Sequence, residues 1–194
     1  MSSPKVKRPK IVAVIPARIG SKRLPKKNIQ VIGGLPLVAW AIKTAQATKL
    51  IDDVYVSTES DEVATIARQY GAKVLDRPEE LAGDTIRMQD VARQVMTELA
   101  DIDVLVLVGA NTPGLPPETL DAAIQKLLDH SRWEIRSVDK DGLEHFMFWI
   151  MTRQACFWDG LSVYFGVQET GVEEIHTPED LERVRAILEQ KIIA

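Results

Sequence analysis

The segment 11–28, IVAVIPARIGSKRLPKKN, sets the tightest limit on what this chain can fold into. Ile11 to Ile15 are all apolar, and an unbroken run of that length reads as a strand buried on both faces. Pro16 closes the run. The loop beyond it carries one Gly, one Ser and five cations: Arg18, Lys22, Arg23, Lys26 and Lys27. A dry strand that empties into a cationic, Gly-bearing loop is what an α/β protein needs to hold a polyphosphate. Backbone N–H groups wrap the phosphate oxygens, and Lys and Arg neutralise the charge.

The pattern of the next two thirds supports that class. Pro36–Ala47 has apolar positions at helical spacing and opens with a Pro, as first turns often do. Val54–Ser57 is predicted as a short strand, and Ser60 as the cap of a helix with Val63, Ile66 and Ala67 on its buried face. Gly71 stops that helix before a strand at Lys73–Leu75. Asp84 or Thr85 is expected to cap a helix running to Leu99. Val104–Val108 (VLVLV) repeats the fully buried strand pattern, and a helix follows over Pro117–Asp129. Trp133–Val138 and His145–Met151 read as strands, Asp159–Gly171 as loop. Thr177-Pro178-Glu179-Asp180 is a helix start, with cap, first-position Pro and an acid three residues after the cap. Strands spaced by helices of this length imply a mainly parallel sheet, whose ligands sit at the carboxyl ends of the strands. The loops after Ile15, Ser57, Leu75 and Val108 are therefore the expected site walls.

Composition bounds the partners. At 194 residues the chain suits one domain over residues 1–194, with 1–9 expected to form a flexible basic tail. Net charge is −4, so no global field favours nucleic acid or an anionic membrane, and neither is expected as a partner. The cations are instead concentrated, with nine Lys/Arg and no acid between Lys5 and Lys27. The apolar run after the tail is too short for a signal-peptide core or a membrane span. A single Cys, Cys156, excludes an internal disulfide framework and a Cys-rich zinc site, which points to the cytoplasm.

The loop is neither a Walker A, since no Gly-Lys-Ser/Thr follows the Gly at the right spacing, nor a GxGxxG. It closely resembles the opening of the cytidylyltransferases that make CMP-sugars, the CMP-sialic acid and CMP-KDO synthetases. The similar residues are Pro16-Ala17-Arg18, Gly20-Ser21-Lys22-Arg23, Pro25, Lys27-Asn28 and Gly34-Leu35-Pro36-Leu37. The resemblance resumes at Val56-Ser57-Thr58, Arg77-Pro78, Glu80-Leu81-Ala82, Asp84-Thr85 and Thr177-Pro178-Glu179-Asp180-Leu181. It implies a Rossmann-like, three-layer nucleotide-diphospho-sugar transferase fold, and transfer of CMP from CTP to a 3-deoxy-ulosonic acid with release of pyrophosphate. It also implies that Arg18 and Lys27 contact the phosphates and stabilise developing charge, and that Lys22 supports the triphosphate. Asn28 and Arg77 fall where the nucleoside is contacted, and Ala17, Gly20, Ser21, Asp84 and Gly109 complete the implied nucleotide site.

The segments that should carry the chemistry depart from that pattern. The Gln associated with nucleotide recognition aligns with Gly109. A metal-binding Asp of the KDO type aligns with Asn111. The Asp before Thr-Pro-Glu-Asp-Leu is replaced by His176, and its upstream acid aligns with Glu174. Mg²⁺ wants anionic oxygen, whereas an imidazole suits Mn, Zn, Ni or Co. Three readings follow. Glu174 holds Mg²⁺ with substrate help; or Glu174 and His176 hold another divalent metal such as Mn²⁺; or catalysis is weakened or lost and a nucleotide-binding paralogue remains. Loss of the Gln also leaves open a pyrophosphorylase-like enzyme for another nucleoside triphosphate. Eight of the eleven aromatics lie between Trp133 and Phe165. They read as a lid over the sheet edge, as a homodimer surface, or as a stacking platform. His130 and His145 carry no catalytic signal, and Cys156 reads as a buried small hydrophobe.

Overall fold

A computed structural model describes residues 8–193. Its spine is a seven-stranded sheet ordered β5-β4-β1-β6-β8-β7-β9. The strands are β1 (Ile11–Pro16), β4 (Asp53–Thr58), β5 (Lys73–Asp76), β6 (Val104–Val108), β7 (Glu134–Val138), β8 (Glu144–Thr152) and β9 (Phe165–Glu169). Only β8 runs against the others. A two-stranded hairpin, β2 (Val31–Ile32) and β3 (Leu35–Pro36), stands apart. The helices are α1 (Leu37–Ala47), α2 (Asp61–Gln69), α3 (Met88–Glu98), α4 (Pro117–Asp129), α5 (Arg153–Phe157) and α6 (Pro178–Ile193).

Alternation in the two dry strands builds both faces of the core. Ile11, Ala13 and Ile15 of β1 and Val104, Val106 and Val108 of β6 pack with α1, α2 and α4. Val12, Val14, Leu105 and Leu107 point the other way, onto Ala92, Val95 and Met96 of α3 and onto Cys156 of α5. Each fully buried side chain of this size contributes roughly 1.5–3 kcal/mol over its exposed state. A third cluster seats Leu181, Val184 and Leu188 of α6 against Ile32, Leu37 and Ile175. This three-layer arrangement is the expected one. The chain lays β4 and β5 on one side of β1 and then crosses to β6 on the other, so the strand order switches between β1 and β6.

Several local expectations hold. Ser60 Oγ accepts from Val63 N at 3.4 Å and caps α2. At the start of α6, Asp180 N donates to Thr177 Oγ1 at 3.2 Å while Asp180 Oδ2 accepts from Thr177 N and His176 N, both at 2.9 Å. Cys156 is buried, which raises its thiol pKa to about 11. His145 Nε2 pairs with Thr170 Oγ1 at 2.7 Å.

Others need correction. Neither Asp84 nor Thr85 caps α3: that helix begins at Met88, with Arg87 at its cap. Pro36 ends the hairpin and precedes α1 rather than opening it. Arg8, within the expected tail, pairs with Asp52, and Lys10, just past it, donates from its backbone N to Asp103 at 2.7 Å. The rest of the expected tail, residues 1–7, lies outside the described residues. Within the stretch read as loop, β9 pairs in parallel with β7, Gly166 opposite Ile135. A Cβ at Gly166 would stand 2.7 Å from Ile135 Cδ1, so this Gly marks a close approach between strands. The aromatic stretch divides. Phe148 is buried in the core, whereas Phe157, Trp158, Tyr164 and Phe165 are exposed around edge strand β9. Among the described residues no helix is long and apolar enough to cross a membrane.

Candidate active site

A cavity of about 550 Å³ opens at the carboxyl ends of β1, β5 and β6, over the switch between β1 and β6, while the loop after Ser57, expected as a wall, supplies no lining residue. Its size suits a nucleotide. Twelve of the thirteen residues expected at the site line it: Arg18, Gly20, Ser21, Lys22, Lys27, Asn28, Arg77, Asp84, Gly109, Asn111, Glu174 and His176. Ala17 does not. Its side chain is in the core and its N–H donates to Ser57 O at 3.0 Å, extending the β1–β4 ladder by one bond. Pro16, Arg23, Met88, Ala110 and Phe146 complete the lining.

Local folding aims the cations. Asn28 is buried and donates from Nδ2 to Arg18 O at 2.8 Å, which closes the loop on itself. Ile19 N donates to Glu59 Oε1 at 2.8 Å and ties the loop to the end of β4. Lys26 sits in the left-handed region, φ 51°, at the cap of a short 3₁₀ turn over Lys27–Ile29. A non-Gly residue pays for that conformation, and here it turns Lys27 inward. Lys27 Nζ donates to Ile175 O at 3.2 Å. Burial lowers the Lys27 pKa, Glu174 opposes that, and the nearby Arg23 and Arg18 add to it. Arg77 is buried, with Nε to Ser57 Oγ at 3.2 Å and Nη2 to Ser57 O at 3.0 Å. Burial brings its pKa down to about 10, with Glu59 acting against the shift.

Two carboxylates face these cations. Asp84 bridges Arg18 Nη2 (2.6 Å) and Lys22 Nζ (2.7 Å), and hydrogen bonds from Lys22 and then Arg18 hold its carboxyl below the usual range. Glu174 Oε2 is bonded to His176 Nε2. Glu174 Oε1 is buried with no hydrogen-bond partner among the described residues. The lining therefore brings five Arg/Lys against two acids, an arrangement suited to a polyanion.

Asn111 also has a structural part. Its Nδ2 donates to Ile175 O at 3.2 Å and its backbone carbonyl accepts from Ile175 N at 3.0 Å. It fastens the segment carrying Glu174 and His176 to the end of β6. An Asp there could not make the first bond. Gly109 is also explained by contact. A Cβ on it would lie 2.7 Å from Phe146 O, so the β8 backbone occupies the place of a side chain. Among the described residues no three His, Cys, Asp or Glu are grouped to hold a metal. No local pattern marks Met88 or Glu59, whose roles depend on contacts between distant segments. Phe146 was visible only as one of the clustered aromatics.

Comparison with known proteins fits this geometry. A family model described as Cytidylyltransferase matches residues 12–191. The N-acylneuraminate cytidylyltransferase A of Danio rerio is 36% identical over 125 residues, which cover 64% of this chain and 29% of that protein. The CMP-N,N'-diacetyllegionaminic acid synthase of Legionella pneumophila is 38% identical over 121 residues, covering 60% of this chain and 52% of that protein. The matched region thus spans between about a quarter and a half of these curated relatives' lengths. A solved structure of CMP:2-keto-3-deoxy-manno-octonic acid synthetase complexed with CTP superposes with a TM-score of 0.81 at 18% identity, over 94% of this chain and 99% of that one, a likeness of fold. The cationic loop, the three-layer sheet and the extent of the family match agree: the chain belongs to the cytidylyltransferase family.

Proposed function

We propose that this chain transfers CMP from CTP to a 3-deoxy-ulosonic sugar acid and releases pyrophosphate, in the cytoplasm. The observation that carries the reading is the convergence of Arg18, Lys22, Arg23, Lys27 and Arg77 on one cavity at the switch point of the sheet. The acceptor's anomeric hydroxyl attacks the α-phosphorus. A P–O bond forms, the bond from the α-phosphorus to the bridging oxygen breaks with its electron pair leaving on pyrophosphate, and the hydroxyl proton passes to solvent water. Such a step asks for positioning and charge neutralisation more than for covalent help. Arg18 and Lys27 meet the charge that develops at the α-phosphate, Lys22 holds the outer phosphates, and Arg77 and Asn28 face the nucleoside. Gly109 lines the same cavity, with the Phe146 carbonyl against its Cα.

The family implies a divalent cation, and Glu174 supports one. Its buried, unpartnered Oε1 is an anionic oxygen in the cavity wall, and Mg²⁺ is commonly held by one or two carboxylates plus substrate phosphates. Glu174 would hold the ion with the nucleotide, with His176 bonded to its second oxygen. Asn111 Nδ2 is committed to Ile175 O, which leaves the neutral Oδ1 as the one atom Asn111 could offer the ion. When bound, the cation neutralises phosphate charge; Mg²⁺ and Mn²⁺ both suit the single carboxylate.

The same reading includes a homodimer. Strand β9 is an open sheet edge flanked by exposed Trp158, Leu161, Val163, Tyr164 and Phe165, and such edges invite pairing with another chain. Sedimentation equilibrium tests this, and a strictly monomeric chain would refute it. The catalytic reading is tested by pyrophosphate release from CTP, UTP, GTP and ATP with Mg²⁺ or Mn²⁺ and a panel of ulosonic acids. Release only with CTP and an acceptor is expected. Preference for another nucleotide would reassign the base, and no release with any pair would refute transfer.

A further inference from the structure

We propose that Asp84 is a counter-ion latch on the phosphate cradle, which an incoming triphosphate must displace. The proposal rests on reading the cavity as a triphosphate site. Asp84 spends both carboxylate oxygens on two cations of the cradle, Oδ1 on Arg18 at 2.6 Å and Oδ2 on Lys22 at 2.7 Å. Arg18 holds the same strap a second time, donating from Nη1 to Ala82 O at 3.2 Å. Residues Gly83 to Thr85 are otherwise exposed, between a short 3₁₀ turn at Glu79–Leu81 and the start of α3. No packed core fixes Asp84 in place, so its position comes from these charges.

The chemistry of the bridge is that of a phosphate mimic. A carboxylate accepting from a guanidinium and an ammonium at once occupies the donors that phosphate oxygens need. Binding is then an exchange. Phosphates take Arg18 and Lys22, the carboxylate is released to solvent, and a carboxylate left beside the phosphates repels them. Asp84 therefore lowers nucleotide affinity, the opposite sign from a residue that contacts the nucleotide. As Arg18 turns to the phosphates, its bond to Ala82 O also breaks, which frees the strap over the cavity.

The test is calorimetric titration of the full chain with inorganic tripolyphosphate and, separately, with CTP, for the native protein, Asp84→Asn and Asp84→Ala. Two exposed ion pairs together correspond to about a two- to thirtyfold change, so both variants should bind tripolyphosphate more tightly by that factor. Unchanged or weaker binding by both variants, or no binding by any form, overturns the latch. Tripolyphosphate isolates the cradle from the nucleoside. A gain there upholds the latch even if CTP is never turned over, whereas loss of CTP transfer alone refutes the enzymatic reading. Thermal melts confirm that both variants fold; the side chain lies on an exposed strap, so either variant suffices.

Discussion

Replacing Gly109 by Ala should destabilise the protein through one contact. Gly109 N donates to Met147 O at 2.8 Å just beyond the end of β6. An added Cβ would stand 2.7 Å from Phe146 O and 3.3 Å from both Met147 O and Asn111 Oδ1. Carbon–oxygen approaches settle near 3.3–3.6 Å, so the β8 backbone must retreat by roughly 0.6 Å or more. Overpacking of this kind costs about 1–3 kcal/mol, and stretching the Gly109–Met147 bond costs about 0.5–1.5 kcal/mol more. A loss of about 2–4 kcal/mol in a chain of this size lowers Tm by about 5–15 °C. Urea denaturation and a thermal scan measure both quantities. Gly109→Gln, which installs the residue of the resembling synthetases, should lose at least as much and gain no affinity for CTP, because Phe146 also lines the cavity. A Gly109→Ala protein with a native midpoint would show that β8 yields freely, and would refute the claim that backbone fills this place.

Arg18→Ala should slow transfer about a hundred- to thousandfold while the fold persists, since one donor aimed at developing charge is worth that much; single-turnover rates decide it. Asn111→Asp should not restore a metal site. It removes the donor to Ile175 O and leaves a carboxylate against that carbonyl, so a loss of about 1–3 kcal/mol in urea is expected, with no gain in Mg²⁺-dependent rate. Backbone donation from His176 first, joined by Arg183 and Thr177, takes the Asp180 pKa down to about 2, from 3.8. A depressed carboxyl stabilises the fold above its unfolded value and loses that contribution as pH falls. Urea midpoints should therefore drop between about pH 4 and 2, and this drop should be smaller in Asp180→Asn.

Much of the fold was legible because its signals are local. The unbroken runs at Ile11–Ile15 and Val104–Val108 announced two strands dry on both faces, and their bounds match to within a residue. Ser60 and the Thr177–Asp180 box marked helix starts by side chains that bond within four residues. Strand β9 lies inside the stretch read as loop, Asp159–Gly171. In the fold Gly166 is small for the sake of Ile135, about thirty residues away. The cradle's cations were visible as a cluster, but the states of its acids were not. Asp84 has the residue type of a helix cap, and only the approach of Arg18 and Lys22 shows it as a counter-ion. Asn111 looked like a weakened metal ligand in line with its neighbours. Its amide Nδ2 also fastens Ile175, a contact across 64 positions that no local pattern encodes.

The central claim is that the cavity transfers CMP, and ³¹P NMR of the full chain with CTP, Mg²⁺ and a ulosonic acid tests it most directly. The account predicts that the three CTP resonances give way to one phosphodiester signal and pyrophosphate in equal amounts, at a rate that falls sharply in Arg18→Ala. CTP that persists unchanged, or that decays to CDP and orthophosphate, would contradict it.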